Sequence, residues 1–127
     1  MNLRKEELTG MTVEKFYALV GGNYEETLGR FRSEERILKF LKMFLKDASI
    51  SDLKRNMQEE NYDEAFRAAH TLKGVASNLG MTVLQREASE MTELLRERDI
   101  EEAKAFMPRM DEICDRTLAA LDELLAE

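Results

Sequence analysis

Along most of this chain the hydrophobic positions recur at steps of three and four rather than two, which predicts helices and no sheet. Thr12 stands as N-cap before a short amphipathic helix with Val13, Phe16, Tyr17 and Val20 on one side, and Gly21-Gly22 ends it. A second short piece runs from Tyr24 to Phe31. Ser33 then caps a longer helix whose first turn holds Glu34 and Glu35, where the helix dipole favours negative charge. Ile37, Leu41, Phe44 and Leu45 form its apolar stripe, and Lys39, Lys42 and Lys46 take the other side. After a break near Asp47 to Ile50, the run from Ser51 to Glu60 places Leu53 and Met57 four apart.

Three longer seams follow. Asn61, with Glu64 behind it, reads as the N-cap of a helix from about Tyr62 to Leu79, in which Ala65, Ala69, Leu72, Ala76 and Leu79 alternate by four and three. Gly80 then takes the place of a left-handed C-terminal cap. Thr82 and Gln85 read as the next capping box, opening a seam through Leu84, Ala88, Met91 and Leu95 that ends near Arg98. Asp99 with Glu102 opens the last, which carries Ala103, Met107, Met110, Cys114, Thr117, Leu121 and Leu124. Pro108 lies inside it; a proline lacks the backbone donor and crowds the preceding turn at a cost of ~3 kcal/mol, so a bend or split is expected near Ala105. The pattern predicts an all-α fold: an antiparallel up-down four-helix bundle over residues 33–125, with residues 12–31 as a short helical lid or appendage.

Composition agrees with one such domain. The 127 residues are 43% hydrophobic and 35% charged, with six glycines, one proline and no tryptophan, which leaves little turn chemistry for a sheet. A formal charge of -7, scattered rather than blocked, repels nucleic acid and anionic membranes and leaves proteins as the expected partners. Cys114 is alone, so no internal disulfide forms, and it is expected to pack inside. The stretch Met1 to Met11, with Arg4, Lys5, Glu6 and Glu7, lacks the apolar run of a signal peptide, and no segment approaches the ~20 apolar residues that span a bilayer. A cytoplasmic protein is expected.

Several chemistries find no support. There is no phosphate-cradling glycine loop, no Walker-type lysine and no serine, histidine and acid set at a known spacing. One histidine and one cysteine do not supply the usual soft metal ligands, so the carboxylates read as a solvated surface and no metal or cofactor is expected. Met91, Met107 and Met110, at seam spacing, read as core filler.

That leaves the histidine. Residues on an α-helix advance by about 100° each, so the seam from Ala65 to Leu79 points away from His70, while Phe66, Lys73, Gly74 and Ser77 share its side. His70 is therefore expected to face solvent, with Arg67 on its flank and Asn78 two turns on. A neutral imidazole, whose ordinary pKa is about 6.5, carries a free lone pair on one nitrogen and can attack phosphorus without a separate strong base. Lys73 would set a compact positive charge beside the phosphoryl oxygens. Glycine on a surface helix costs ~1 kcal/mol relative to alanine, so Gly74 suggests that another backbone approaches there.

The run His70-Thr71-Leu72-Lys73-Gly74, followed by Ala76, Asn78-Leu79 and Gly80, resembles the signature of histidine-containing phosphotransfer (HPt) domains of multistep phosphorelays. The resemblance spans roughly Thr12 to Glu97, with Phe40, Phe44, Tyr62 and Ala69 at the family's usual distances from the histidine. It implies a monomeric helical bundle that exchanges a phosphoryl group with receiver-domain aspartates and works with sensor histidine kinases. His70 would be the phosphoacceptor, Lys73 the phosphoryl stabiliser and Gly74 the clearance for the receiver, which would bring its own Mg²⁺. Many members orient the histidine ring with a Glu or Gln on the following helix. Here that place falls on or near Thr92, with Glu90 and Glu93 adjacent.

Phe66, Arg67, Ser77 and Asn78 are candidate partner-binding residues. Phe66, together with Phe16 or Met81, either supplies an apolar docking patch or packs under the N-terminal helix, and Ser77 and Asn78 either reach phosphate or only decorate an exposed face. The competing function is a helical adaptor of the same fold that binds a kinase or receiver without carrying phosphate. A self-associating structural bundle is a more distant alternative.

Overall fold

Seven helices account for nearly all of residues 10–126, the part of the chain described by the computed structural model, and no strand occurs among them. They are α1 (Val13–Val20), α2 (Tyr24–Phe31), α3 (Glu34–Leu45), α4 (Ser49–Gln58), α5 (Tyr62–Asn78), α6 (Thr82–Arg96) and α7 (Ile100–Leu125). The charged stretch with Arg4, Lys5, Glu6 and Glu7, read above as lacking a signal-peptide run, lies outside the described residues.

The first three helices begin where the sequence predicts, two of them on the predicted caps Thr12 and Ser33 and the second on Asn23, which the sequence reading did not name. The side chains of Thr12, Asn23 and Ser33 accept hydrogen bonds from the backbone amides of Lys15, Glu26 and Arg36 at 3.1, 3.0 and 3.2 Å. The last three lack such caps. Asn61, Met81 and Asp99 precede α5, α6 and α7 without a side-chain cap bond, and Thr82, expected to cap α6, is its first helical residue.

The physical reason is shared by all three turns. Glu60, Gly80 and Arg98 adopt left-handed backbone, with φ of 58°, 70° and 61°. The next amide in each case, that of Asn61, Met81 or Asp99, reaches back to the carbonyl of Asn56, Ala76 or Leu94 at 2.8, 2.9 and 2.9 Å. This is the Schellman closure of one helix, and the residue that completes it also starts the next, so the connection is set by backbone rather than by a capping side chain.

The seams pack as read. Ala65, Ala69, Leu72, Ala76 and Leu79 of the α5 segment and Leu84, Ala88, Met91 and Leu95 of α6 are buried, as are Ala103, Met110, Cys114, Thr117 and Leu121 of α7. Met107 and Leu124 are only half-buried, and Leu45, assigned above to the α3 stripe, is 38% exposed because it falls at the end of that helix beyond the core contact of Phe44. α5 lies between α4 and α6; α7 contacts α1, α3, α4 and α6. α4, read from the sequence only as a short apolar pair, thus forms a wall beside the histidine helix, whereas α3 leans on α2 and α7.

α1 and α2 close the C-terminal end of α5. The last carbonyls of a helix have no partner within it. Here Tyr17 Oη donates to the Leu79 carbonyl at 2.6 Å, Arg30 Nη1 donates to those of Ser77 and Asn78 at 3.1 and 2.5 Å, and the Asn23 amide donates to that of Gly80 at 2.9 Å. A Cβ on Gly22 would stand 2.6 Å from the Gly80 carbonyl oxygen, so only glycine lets the two loops approach this closely.

α7 runs unbroken through Pro108 from Ile100 to Leu125, so the split expected near Ala105 does not occur. Pro108 faces solvent, where water reaches the backbone that its ring deprives of a donor. Among the described residues, no helix is long and apolar enough to cross a membrane.

Candidate functional site

His70 stands on the outer face of α5 and is exposed, as the 100° rotation per residue requires. Lys73, one turn on, is half-buried and makes no ion pair with any described residue. Gly74 is exposed, and a Cβ built on it would meet nothing within 4 Å, so its bareness serves no contact inside the chain. Arg67 and Glu64 form an ion pair one turn before the histidine.

Two grooves open along one side of this face. On the α4 side a polar groove of about 330 Å³ is lined by Asp52, Arg55, Glu64, Arg67 and Thr71. On the α3 side a groove of about 370 Å³, more apolar, is lined by Phe40, Met43, Phe44, Gly74, Val75 and Asn78, with Met43 57% exposed at its rim. Both grooves open on the α3–α4 side of α5 and meet at Asp47, beside the face that carries His70, and neither His70 nor Lys73 lines them.

The other predicted residues divide. Ser77 and Asn78 are exposed on the histidine face, and their carbonyls are occupied by Arg30. Phe66 is half-buried and its ring lies nearly parallel to the imidazole, at an interplanar angle of 14° and 6.1 Å between centroids. Phe16 and Met81, offered above as its companions in a docking patch, are both fully buried and take no part in any surface. Met81 is drawn in because it completes the Schellman turn, and Phe16 because α1 packs its apolar side onto α7.

Thr92 is fully buried as well, and its hydroxyl donates to the carbonyl of Ala88 at 2.6 Å. It does not orient the ring. Among the described residues none hydrogen-bonds the imidazole, and the aromatic neighbour it does have is Phe66.

Against this geometry, a model of the Hpt domain family matches residues 39–126, well over half of the chain. The chain belongs to the Hpt domain family. No curated protein and no solved structure matches it. Hpt domains are phosphotransfer modules of two-component signalling, carriers rather than catalysts, that interact with histidine kinases and receiver domains. In this Hpt domain the match takes in α4 to α7 and most of α3, which together hold the histidine face and both grooves, and leaves α1 and α2 outside it.

Two side chains of this Hpt domain escaped the sequence reading. The guanidinium carbon of Arg96 sits 5.1 Å from the centroid of the Phe66 ring, next to the histidine. A signal existed: Phe66 and Arg96 are each 15 residues from Met81, at the centre of the α5–α6 turn, so a tight antiparallel hairpin brings them opposite. The second is Glu87, 6% exposed, gripped by Arg109 of α7 through Nε to Oε2 at 2.9 Å and Nη2 to Oε1 at 3.0 Å. That bidentate bond holds the Glu87 carboxyl below the usual carboxylate range.

Proposed function

We propose that this Hpt domain carries its phosphoryl group on His70, exchanging it with the aspartate of a receiver domain. What carries the reading is the exposed imidazole with Lys73 one turn on and open space over Gly74. The Nε2 lone pair of the neutral ring forms the new N–P bond in line as the aspartyl O–P bond breaks. The electron pair leaves with the aspartate carboxylate, and Nδ1 keeps its proton. Lys73 stands beside the transferring oxygens, where a point charge offsets their negative charge. The receiver supplies the acidic pocket, and Mg²⁺ bound there would neutralise phosphoryl charge from the other side. This chain needs no metal of its own.

Reverse transfer uses the same atoms, so the protein serves as acceptor and donor. The α3 groove beside Gly74 and the α4 groove beside Arg67 offer a receiver an apolar and a charged contact along one flank of the histidine helix. The carrier acts as a monomer in this reading, since its face is complete on one chain.

Incubation with a phosphorylated receiver domain tests it. The wild-type chain takes label that is labile to acid and stable to alkali, and His70→Gln takes none. A mutant that still carries label removes His70 from the mechanism. A wild type that binds the phosphorylated receiver yet takes no label would make the protein an adaptor.

A further inference from the structure

We propose that Phe66 and Arg96 position the His70 imidazole for transfer, the Phe66 ring as a flat wall beside it and the Arg96 guanidinium as the clamp on that wall. The inference rests on the carrier reading above and concerns what orients its nucleophile.

An imidazole on an exposed helix face turns about two side-chain torsions, and its outer terminal torsion has a broad well. In-line attack uses only the orientation that aims the lone pair at phosphorus, and misorientation of a reacting group by a small angle or distance costs rate steeply. Hydrogen bonds are the usual restraint. Here none of the described residues provides one, and Thr92 of α6 is fully buried and committed to the Ala88 carbonyl.

The restraint present is aromatic. Phe66, one turn before His70, lies within 14° of parallel to it. Rings so arranged resist rotating against each other, because either would lose contact with its neighbour's face or strike its edge. Phe66 is in turn fixed from α6, where Arg96 lies 5.1 Å from its centroid. Arg96 is itself held, its Nε donating to Glu93 at 2.9 and 3.2 Å. Glu93, Arg96, Phe66 and His70 thus form one chain of contacts across two helices, ending on the nucleophile. Phe66 is only half-buried, while Ala65, Ala69 and Leu72 fill the core beneath it.

The test separates orientation from docking and from folding. A receiver domain loaded with acetyl phosphate, chosen because it transfers to the wild-type chain, is used in single-turnover experiments that give the saturating rate and the half-saturating concentration. The carbon-bound imidazole protons are followed by NMR in the same proteins. Phe66→Leu is expected to move those resonances out of the ring-current field and to lower the saturating rate about tenfold at an unchanged half-saturating concentration. Phe66→Tyr keeps the ring and both properties. Arg96→Gln lowers the saturating rate about two- to fivefold, as befits loss of an exposed cation–π contact, and Arg96→Lys restores most of it.

If wild type is labelled and Phe66→Leu and Arg96→Gln transfer at its saturating rate, the positioning role is overturned and the carrier reading stands. Losses confined to the half-saturating concentration overturn it too, since these residues would then dock the receiver. A wild type that no receiver labels brings down the carrier reading, and the positioning role with it.

Discussion

The hydroxyl of Tyr17 donates to the carbonyl of Leu79 at 2.6 Å, joining α1 to the end of the histidine helix across 62 residues of sequence. Leu79 follows the last turn of α5, where carbonyls have no partner inside the helix, and Tyr17 is fully buried. Tyr17→Phe leaves that buried acceptor unpaired and is expected to cost about 1–2 kcal/mol at neutral pH. Burial also pushes the Tyr17 phenol up to about 12. A phenol in the unfolded chain ionises near 10, so the stability tied to the protonated form is intact below pH 10 and is lost as pH rises toward 12, on the order of 2 kcal/mol in all. Urea unfolding of both proteins at pH 7, 10, 11 and 12 should show the gap between them narrowing steadily from pH 10 to pH 12. A gap that stays constant to pH 12 would mean that the phenol ionises as freely in the fold as outside it.

Glu87 responds at the other end of the pH scale. Arg109 holds its carboxyl below the ordinary value, so the pair's contribution is present above the unfolded carboxyl pKa of about 4.5 and is lost as pH falls through the depressed folded value. At pH 7 Glu87→Gln is expected to cost about 2 kcal/mol, the size of a charge-assisted hydrogen bond in a buried place. Thermal melts from pH 7 down to pH 3 check this, with the two proteins converging at the acid end. Parallel curves would show that the bond contributes equally in both protonation states.

What the sequence made legible follows the helical repeat. The seam from Ala65 to Leu79 and the outward direction of His70 depend only on rotation per residue along one helix, and both hold. Contacts between helices were harder, because they depend on register across a turn. Phe66 with Arg96 and Glu87 with Arg109 went unread, and Phe16 and Met81, offered as alternative companions of Phe66 in a docking patch, are covered by other parts of the chain. Thr82 failed as a cap for a third reason: the α5–α6 turn closes through backbone bonds, a solution that leaves no side-chain signature beyond Gly80.

Gly74 separates fold from function. It lies inside α5 with nothing near its missing Cβ, so Gly74→Ala is expected to stabilise the protein by about 0.5–1 kcal/mol through helix propensity alone. If the bare backbone is clearance for a receiver, the same methyl group slows phosphoryl transfer severalfold, and a larger side chain such as Gln slows it further. Denaturation midpoints and transfer rates on one set of proteins decide. A protein more stable and equally fast would leave Gly74 without a role in docking.

Pro108 sits in the interior of an unbroken α7 and faces solvent. Its ring denies the Lys104 carbonyl the amide that would normally bond it, and a proline in this setting costs up to ~3 kcal/mol. Pro108→Ala restores that bond and is expected to raise stability by about 1–3 kcal/mol. Transfer should be unchanged, because α7 packs chiefly on α1, α3, α4 and α6 and not on the histidine helix. Arg109 is the next residue, however, and its grip on Glu87 depends on where α7 points at this turn. Should the proline be what aims Arg109, the alanine variant would lose stability at pH 7 and lose the acid response of Glu87 along with it. Urea unfolding of Pro108→Ala at pH 7 and pH 3, beside Glu87→Gln, tells a relieved helix from a misdirected arginine.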